Sequence, residues 1–497
     1  MLSAILTNTS QRTDGNQQME GNPKRWIALV IVLLPTLLIS LNTYMIQVAL
    51  PSMQHSLNAS FAEAQLIVTG FSLGLAVVLI ISGKLGDIYG RKRLLLIGVS
   101  GFTIMAMLGG LTSEPCLLIA IRIVQGLAAA LIQPQVLSTM QVSFPPREKA
   151  IAFSIYGAII GFGFAFGLIF GGLIVNWNLF DLGWRMVFFV NVPFGMLVLM
   201  LLPIIPESRG EKKQPIDWIG ALLLISGLFL LVYPLSEGQR QGWPVWVWFC
   251  MLIGFGVLVT FVAVECYKKR RNAFPLVNLV VFRHASFRVG LLAVLVVYLG
   301  MFAFFFLLSY YVQYGLHKDV QTTSMVFLPL GVGFFLSSLL SSRFVEKWGI
   351  GSLKLGSIGM AICISLLIGS ILYDARAMLN YRNLLLLWMY GFSLGMVTTP
   401  LANIVLSTVP KKDAGSGSGL FTTCMYLANS LGVALIGIVF SGVLGHVLVE
   451  AELSDYVRAF SVSVGACGGL ALATFVCLCF LPDPRRKSRM TKVKHTL

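Results

Sequence analysis

Charge is what this sequence has least of. Only 11% of its 497 residues are charged, while 57% are apolar and the mean hydropathy is +0.84. A soluble domain carries roughly a quarter charged residues, so soluble enzyme folds are excluded. Cysteine is sparse and unpatterned: there are eight, with no C-x-x-C spacing, and Cys363, Cys424, Cys467, Cys477 and Cys479 sit within apolar stretches. They read as core packing rather than as disulfides or thiolate ligands. Catalytic signatures are missing too. The chain has no histidine cluster, no H-E-x-x-H and no G-x-x-x-x-G-K-[ST]. No enzyme activity, cofactor or metal is therefore expected. Residues 1–25 are polar and lack a short apolar run ending at a small-residue cleavage site, so no signal peptide is expected to be removed.

What the chain has is long apolar runs. Between charged or Gly/Pro breaks they fall near 26–50, 64–82, 94–112, 116–142, 151–175, 185–205, 216–236, 244–265, 286–309, 322–342, 352–373, 383–407, 416–444 and 459–481. Fourteen helices, rather than a barrel's alternating strands, must satisfy the backbone in lipid. The net charge of +16 fits loops held at an anionic leaflet better than nucleic acid. Lys and Arg test the span count. With the N-terminus inside, nearly all fall on inner segments, and only Arg240, Lys318, Arg376, Arg382 and Arg458 fall outside. Both termini are then cytoplasmic. A twelve-span reading would strand 216–236 and 244–265 in one loop, where such runs could not stay solvated.

A weak echo links two loops. Gly83 to Arg93 follows the second span, and Ser342-Arg343-Phe344-Val345-Glu346-Lys347-Trp348-Gly349 follows the tenth. Duplicated bundles are common in transporters. The expected organisation is a cytoplasmic tail (1–25), a six-helix bundle (26–205), a linker with two additional spans (206–285), a second six-helix bundle (286–481) and a basic cytoplasmic tail (482–497).

The most specific motif is Gly83-Lys84-Leu85-Gly86-Asp87-Ile88-Tyr89-Gly90-Arg91-Lys92-Arg93. It resembles the loop signature of the major facilitator superfamily, G-x-L-x-D-x-x-G-R, at Gly83, Leu85, Asp87, Gly90 and Arg91. Val48-Ala49-Leu50-Pro51, Arg122-Ile123-Val124-Gln125-Gly126, Trp184-Arg185 before Phe188-Phe189-Val190-Asn191-Val192-Pro193, Asp217-Trp218-Ile219-Gly220-Ala221, and Pro275-Leu276 before Phe282-Arg283 extend the resemblance to the fourteen-span drug:proton antiporter branch. The resemblance implies an all-α polytopic membrane protein of major facilitator fold, two six-helix bundles with two inserted spans, rocking about a central site. It also implies proton coupling and a bacterial inner membrane. Gly83, Asp87, Gly90 and Arg91 become gating candidates: Asp87 can accept from a helix N-terminus and pair with an arginine, latching one bundle to the other in a single access state. A solvated turn that only fixes orientation is the alternative.

In the fifth span Gly157 and Gly161, and then Gly163, Gly167 and Gly171, are spaced four apart, for close helix packing. The run resembles the superfamily's glycine-rich exporter motif, except that Gly167-Leu168 stands where Gly-Pro is usual. A second departure is Leu41-Asn42, where the branch usually has Leu-Asp. No acidic residue falls deep within a span: Glu63, Asp217 and Glu265 lie at span ends, and Asp181, Asp319, Asp374 and Asp413 in loops.

Arg122, by contrast, lies inside the fourth span, where a charge is costly enough to be functional unless paired. At about 100° per residue Arg122, Gln125, Ala129 and Gln133 share a face. Thr36, Ser40, Thr43 and Gln47 form a polar stripe on the first span, with Asn42 on its flank. These stripes are candidates to face a central cavity, and Arg122 could instead be a structural hydrogen-bond hub. An unpaired guanidinium suits a carboxylate, phosphate or other anionic or zwitterionic solute. Tyr298 and Phe302 on the ninth span, and Trp388 and Tyr390 on the twelfth, are candidates for an aromatic wall or for a lipid-facing surface.

The expected function is secondary transport: proton-coupled export of a small anionic or amphiphilic solute, a carboxylate metabolite or siderophore for example. Multidrug efflux of lipophilic or cationic compounds is the alternative, uptake by symport a third, and a solute sensor that does not transport a fourth. The expected partners are a small-molecule substrate, protons and the lipid bilayer, with no nucleic acid, and the chain is expected to be a monomer.

Overall fold

The computed structural model describes residues 24–144, 146–208, 217–271, 276, 279–407, 414–445, 448 and 450–481. Apart from Lys24 and Arg25, both expected tails lie outside the described residues. Among the described residues, fourteen helices are long and apolar enough to cross a membrane. They are α1 Lys24–Ser56, α2 Phe61–Tyr89, α3 Arg91–Leu111, α4 Pro115–Ser143, α5 Pro146–Trp177 and α6 Gly183–Ile204. Next come α7 Trp218–Arg240, α8 Val245–Arg270, α9 Ala285–Tyr310, α10 Val320–Trp348, α11 Ile350–Tyr373, α12 Tyr381–Ser407, α13 Ala414–Leu444 and α14 Leu453–Cys479. Helix α6 is a succession of short helical segments rather than one rod.

Local chemistry sets the ends. Ser60 and Glu63 form a capping box at the start of α2, with Glu63 N–H donating to Ser60 Oγ (3.2 Å) and Ser60 N–H to Glu63 Oε2 (2.8 Å). Asp319 caps α10 by accepting from Thr322 N–H at 3.0 Å. One residue separates α2 from α3 and one separates α10 from α11. They are Gly90 (φ 107°) and Gly349 (φ 56°), in a region that favours glycine. The sequence echo between these loops is thus an echo of backbone geometry.

The repeat extends to packing. Helix α1 packs on α5 and α6, α2 on α4, and α3 on α4 and α6; eight helices later α9 packs on α13 and α14, α10 on α12, and α11 on α12 and α14. Glycines permit the same crossing twice. A Cβ on Gly126 would lie 2.1 Å from Phe71 O and one on Gly74 2.4 Å from Ile123 O. A Cβ on Gly391 would lie 2.0 Å from Leu330 O and one on Gly333 2.2 Å from Trp388 O. In lipid, where apolar burial between helices gains little, such close backbone approach is what holds a bundle together.

Three seams join α1–α6 to α9–α14: α2 with α13, α5 with α10, and α1 with α9. Their hydrogen bonds run from the end remote from the Gly83–Arg93 loop to about mid-depth. At the remote end Tyr310 OH donates to Gln54 Oε1 (2.6 Å), Gln313 Nε2 to Val48 O (2.9 Å) and Ser309 Oγ to Gln47 O (2.9 Å). Along α2 and α13, Ser430 Oγ donates to Thr69 O (3.1 Å) and Asn429 Nδ2 to Ser72 Oγ (2.8 Å). Helices α7 and α8 pair with each other, and α7 lies against α2 and α13. The outer face of α8 exposes Trp248, Phe249, Leu252, Ile253 and Phe255, a surface suited to lipid.

Candidate functional site

At mid-depth four tyrosines from both halves come together. Tyr44 (α1) and Tyr156 (α5) belong to the first half, Tyr298 (α9) and Tyr426 (α13) to the second. Their hydroxyl groups are close enough to interact electrostatically. Gln133 on α4 completes the set by donating from Nε2 to Tyr426 OH at 2.8 Å. Tyr44, Tyr156 and Tyr298 are half-buried. Phe302 stacks on Tyr44 across the seam, with centroids 6.1 Å apart and rings 9° from parallel. A wall of aromatic faces with hydroxyl and amide groups among them can hold a flat apolar ring system and orient its polar substituents.

Arg122 lies nearby but is committed to neutral partners within the first half. Its guanidinium donates to Ile67 O (3.1 Å), Asn42 Oδ1 (2.9 Å) and Gln125 Oε1 (2.6 Å), and it lies 4.2 Å above the Phe71 ring. It has no carboxylate partner among the described residues. The geometry is that of a buried hub tying α1, α2 and α4, and these bonds leave the guanidinium little freedom to reach into a cavity. Asn42 and Gln125, expected beside a substrate, are occupied by Arg122 instead. Thr43 donates to the backbone oxygen of Ile39 in its own helix. Gln47 is fully buried, and neither end of its amide has a hydrogen-bond partner.

The remaining aromatic candidates lie elsewhere. Tyr390 is buried against Phe304 (4.5 Å) inside the second half. Trp388 stacks on Phe392 (5.5 Å), in a row that continues through Phe344 to Trp348.

The segment expected as a loop is helical up to Tyr89, and in this last part of α2 Gly86 lies under Gln135, whose Oε1 a Cβ at that position would meet; Gln135 Nε2 donates to Ser82 O at 2.6 Å. Asp87, also in α2, pairs with Arg91 at the start of α3 at 2.9 Å. Glu207, just beyond α6, accepts from Lys92 N–H (3.0 Å) and so caps α3, while Ser208 O accepts from Arg91 N–H (3.0 Å). Among the described residues, Asp87 makes no ion pair with the opposite bundle, the contact expected of a latch. A Cβ on Gly83 would meet only Pro134, at 3.8 Å.

The α5 glycines divide into two faces. A Cβ on Gly163, Gly167 or Gly171 would lie 2.5 to 2.8 Å from Ser40, Tyr44 or Met45 of α1. Gly157 has nothing within 4 Å and Gly161 only Phe334 and Ser338 at 3.8 and 4.0 Å, so these two do not serve close packing in this conformation.

Sequence reasoning overlooked Tyr44, Tyr156, Tyr426, Gln135 and Glu207. Tyr44 borders the α1 polar stripe and could have been found there, whereas the others acquire meaning only from tertiary contact. It also placed Glu265 at a span end. Helix α8 continues to Arg270, so Glu265 lies near that end of the span, but it is 1% exposed, a burial the sequence did not show.

The Major Facilitator Superfamily model matches residues 32–433, and the chain belongs to that family. It is 34% identical over 471 residues to a probable actinorhodin transporter of Streptomyces coelicolor, covering 94% of this chain and 81% of that one. With a puromycin resistance protein of Streptomyces alboniger it shares 30% identity over 478 residues, 94% of this chain and 93% of the relative. Among solved structures, a bacterial homologue of the human lysosomal transporter Spinster superposes with a TM-score of 0.64 at 17% identity, over 92% of this chain and 97% of that one. The chain is a multi-pass membrane transporter, not an enzyme.

Proposed function

We propose that this protein exports aromatic, amphiphilic small molecules of antibiotic type, driven by protons entering in exchange. The tyrosine ring with Gln133 carries the reading, because it draws groups from both halves to mid-depth, where one solute can be offered to either side in turn. Relatives named for actinorhodin transport and puromycin resistance support the substrate class. Basic loops support cytoplasmic termini and a cell-membrane location, with residues 26–205 and 286–481 as the rocking bundles and 206–285 inserted between them. With the remote seams closed, the conformation is then inward-facing. A monomer suffices, since one chain supplies every group in the ring. Arg122, held by neutral acceptors, keeps a formal charge behind this wall and favours, as a narrower second reading, aromatic solutes that carry an acidic group.

The test is drug accumulation in a pump-deficient bacterial host. Expression should lower the steady-state content of puromycin or ethidium severalfold, and a protonophore should restore it. Equal accumulation with and without the protein would contradict export of this class.

A further inference from the structure

Where α7 packs between α8 and α2, four charged side chains gather, two acids that are buried and two lysines that are half-buried. Asp217, which immediately precedes α7 and is 6% exposed, accepts through Oδ1 from Gly220 N–H (2.8 Å) and from the Lys268 ammonium. Its other oxygen, Oδ2, is buried and accepts no hydrogen bond from a protein donor. Glu265 lies one turn before Lys268 on α8 and brings its carboxyl within hydrogen-bonding reach of Asp217. Gly220 makes the room: a Cβ there would be 2.7 Å from Glu265 Oε1 and 2.8 Å from Asp217 Oδ2. Lys84, next to Gly83 at the start of the gating loop, lies within electrostatic range of both acids and of Lys268. The other helix against α7, α13, contributes no acidic or basic residue.

Two carboxylates cannot hydrogen-bond to each other, since both only accept. A pair in contact shares a proton, as like charges at that distance resist ionising together. We infer that Asp217 and Glu265 form a proton-binding site at the seam between the inserted helix pair and the gating loop.

Two lysines make both states tenable there. With the proton bound, the four groups carry one net positive charge; with it lost, they are neutral. Although burial pushes the Asp217 carboxyl up, its bonds from Lys268 and Gly220 prevail and hold it below the usual carboxylate range. Asp217 therefore stays ionised against Lys268, and the proton resides on the Glu265 side. Losing it frees a second negative charge to draw on Lys84, one residue from Gly83, so the site is placed to link proton occupancy to the loop.

The site stands on its own geometry, and only its use in transport rests on the proposed proton-driven export. Infrared difference spectra of the purified protein, recorded while pH is varied, test it directly. A protonated-carboxyl band should be present at neutral pH, titrate on alkalinisation and vanish in Glu265→Gln. Lys84→Met should move its midpoint upward, because removing a cation favours the protonated pair. Glu265→Asp, which keeps the carboxyl, serves if the amide variant does not fold, and should retain a band with a shifted midpoint. Absence of any band that depends on residue 265 would overturn the inference, and an unmoved midpoint in Lys84→Met would overturn the link to the loop. A failure of proton-driven export would leave the band unaltered, so the two readings fail separately.

Discussion

Gln133 donates its amide hydrogen to the Tyr426 hydroxyl at 2.8 Å, joining α4 of one half to α13 of the other at the centre of the molecule. In the proposed rocking of the halves this bond breaks and re-forms, and a solute bearing a hydroxyl or carbonyl can replace either partner. Tyr426→Phe should therefore lower export about tenfold, the loss expected for about 1.4 kcal/mol of binding or transition-state energy. Vesicle transport rates against thermal melting will show whether the loss comes without unfolding.

Arg122→Ala should behave differently. It strands the Asn42 and Gln125 side-chain oxygens, at about 1–3 kcal/mol for each buried group left unsatisfied, while the Ile67 carbonyl keeps its helix bond. The expected outcome is a lower melting temperature in detergent, partly recovered in Arg122→Lys. A variant that melts like the wild type but no longer transports acidic aromatic solutes would instead assign Arg122 to the substrate.

Glycine substitutions should separate packing from motion. Gly391→Ala places a Cβ 2.0 Å from Leu330 O, which is backbone and cannot yield without moving α10, so little folded protein should be recovered. Gly157→Ala meets open space and should leave melting unchanged. If the loop-end parts of α5 and α10 close on each other during the cycle, the same variant should slow turnover, measured as transport rate at saturating solute.

The span count was legible because membrane solvation writes it into the sequence twice, in the apolar runs and in the Lys and Arg between them. The pairing of the two loops was legible in the Gly83–Arg93 and Ser342–Gly349 echo. The site was only half legible. Gln133 and Tyr298 could be nominated from face and spacing, but single tyrosines such as Tyr156 and Tyr426 in apolar helices carry no periodic signal until two bundles meet. Arg122 was conspicuous for its cost, yet its partners Asn42 and Ile67 lie on other helices, so its burial among acceptors could not be read along one chain.

At the remote end of the molecule, Asp319 offers a check on helix capping. Hydrogen bonding from Thr322 holds its carboxyl below the usual value of 3.8. A lowered folded-state pKa means the cap's contribution is complete above the unfolded value and is lost as pH falls through the folded one. Asp319→Ala should accordingly melt lower than the wild type at neutral pH, and the gap should close toward pH 3, as scanning fluorimetry across that range would show.

Asp87→Asn should keep the loop folded, since Gly90 and the Glu207 cap remain, but remove the charge proposed to latch the opposite bundle. Turnover should fall more than solute affinity. Equal turnover in the two proteins would count against the latch.

The most direct test of proton-driven export through the tyrosine ring is solute flux in proteoliposomes under an imposed pH gradient. Vesicles with an acidic interior should accumulate puromycin against its gradient, lose it when the gradient is collapsed, and show little of this with Tyr426→Phe. Puromycin movement that ignores the pH gradient, or that persists undiminished in the Tyr426 variant, would contradict the account.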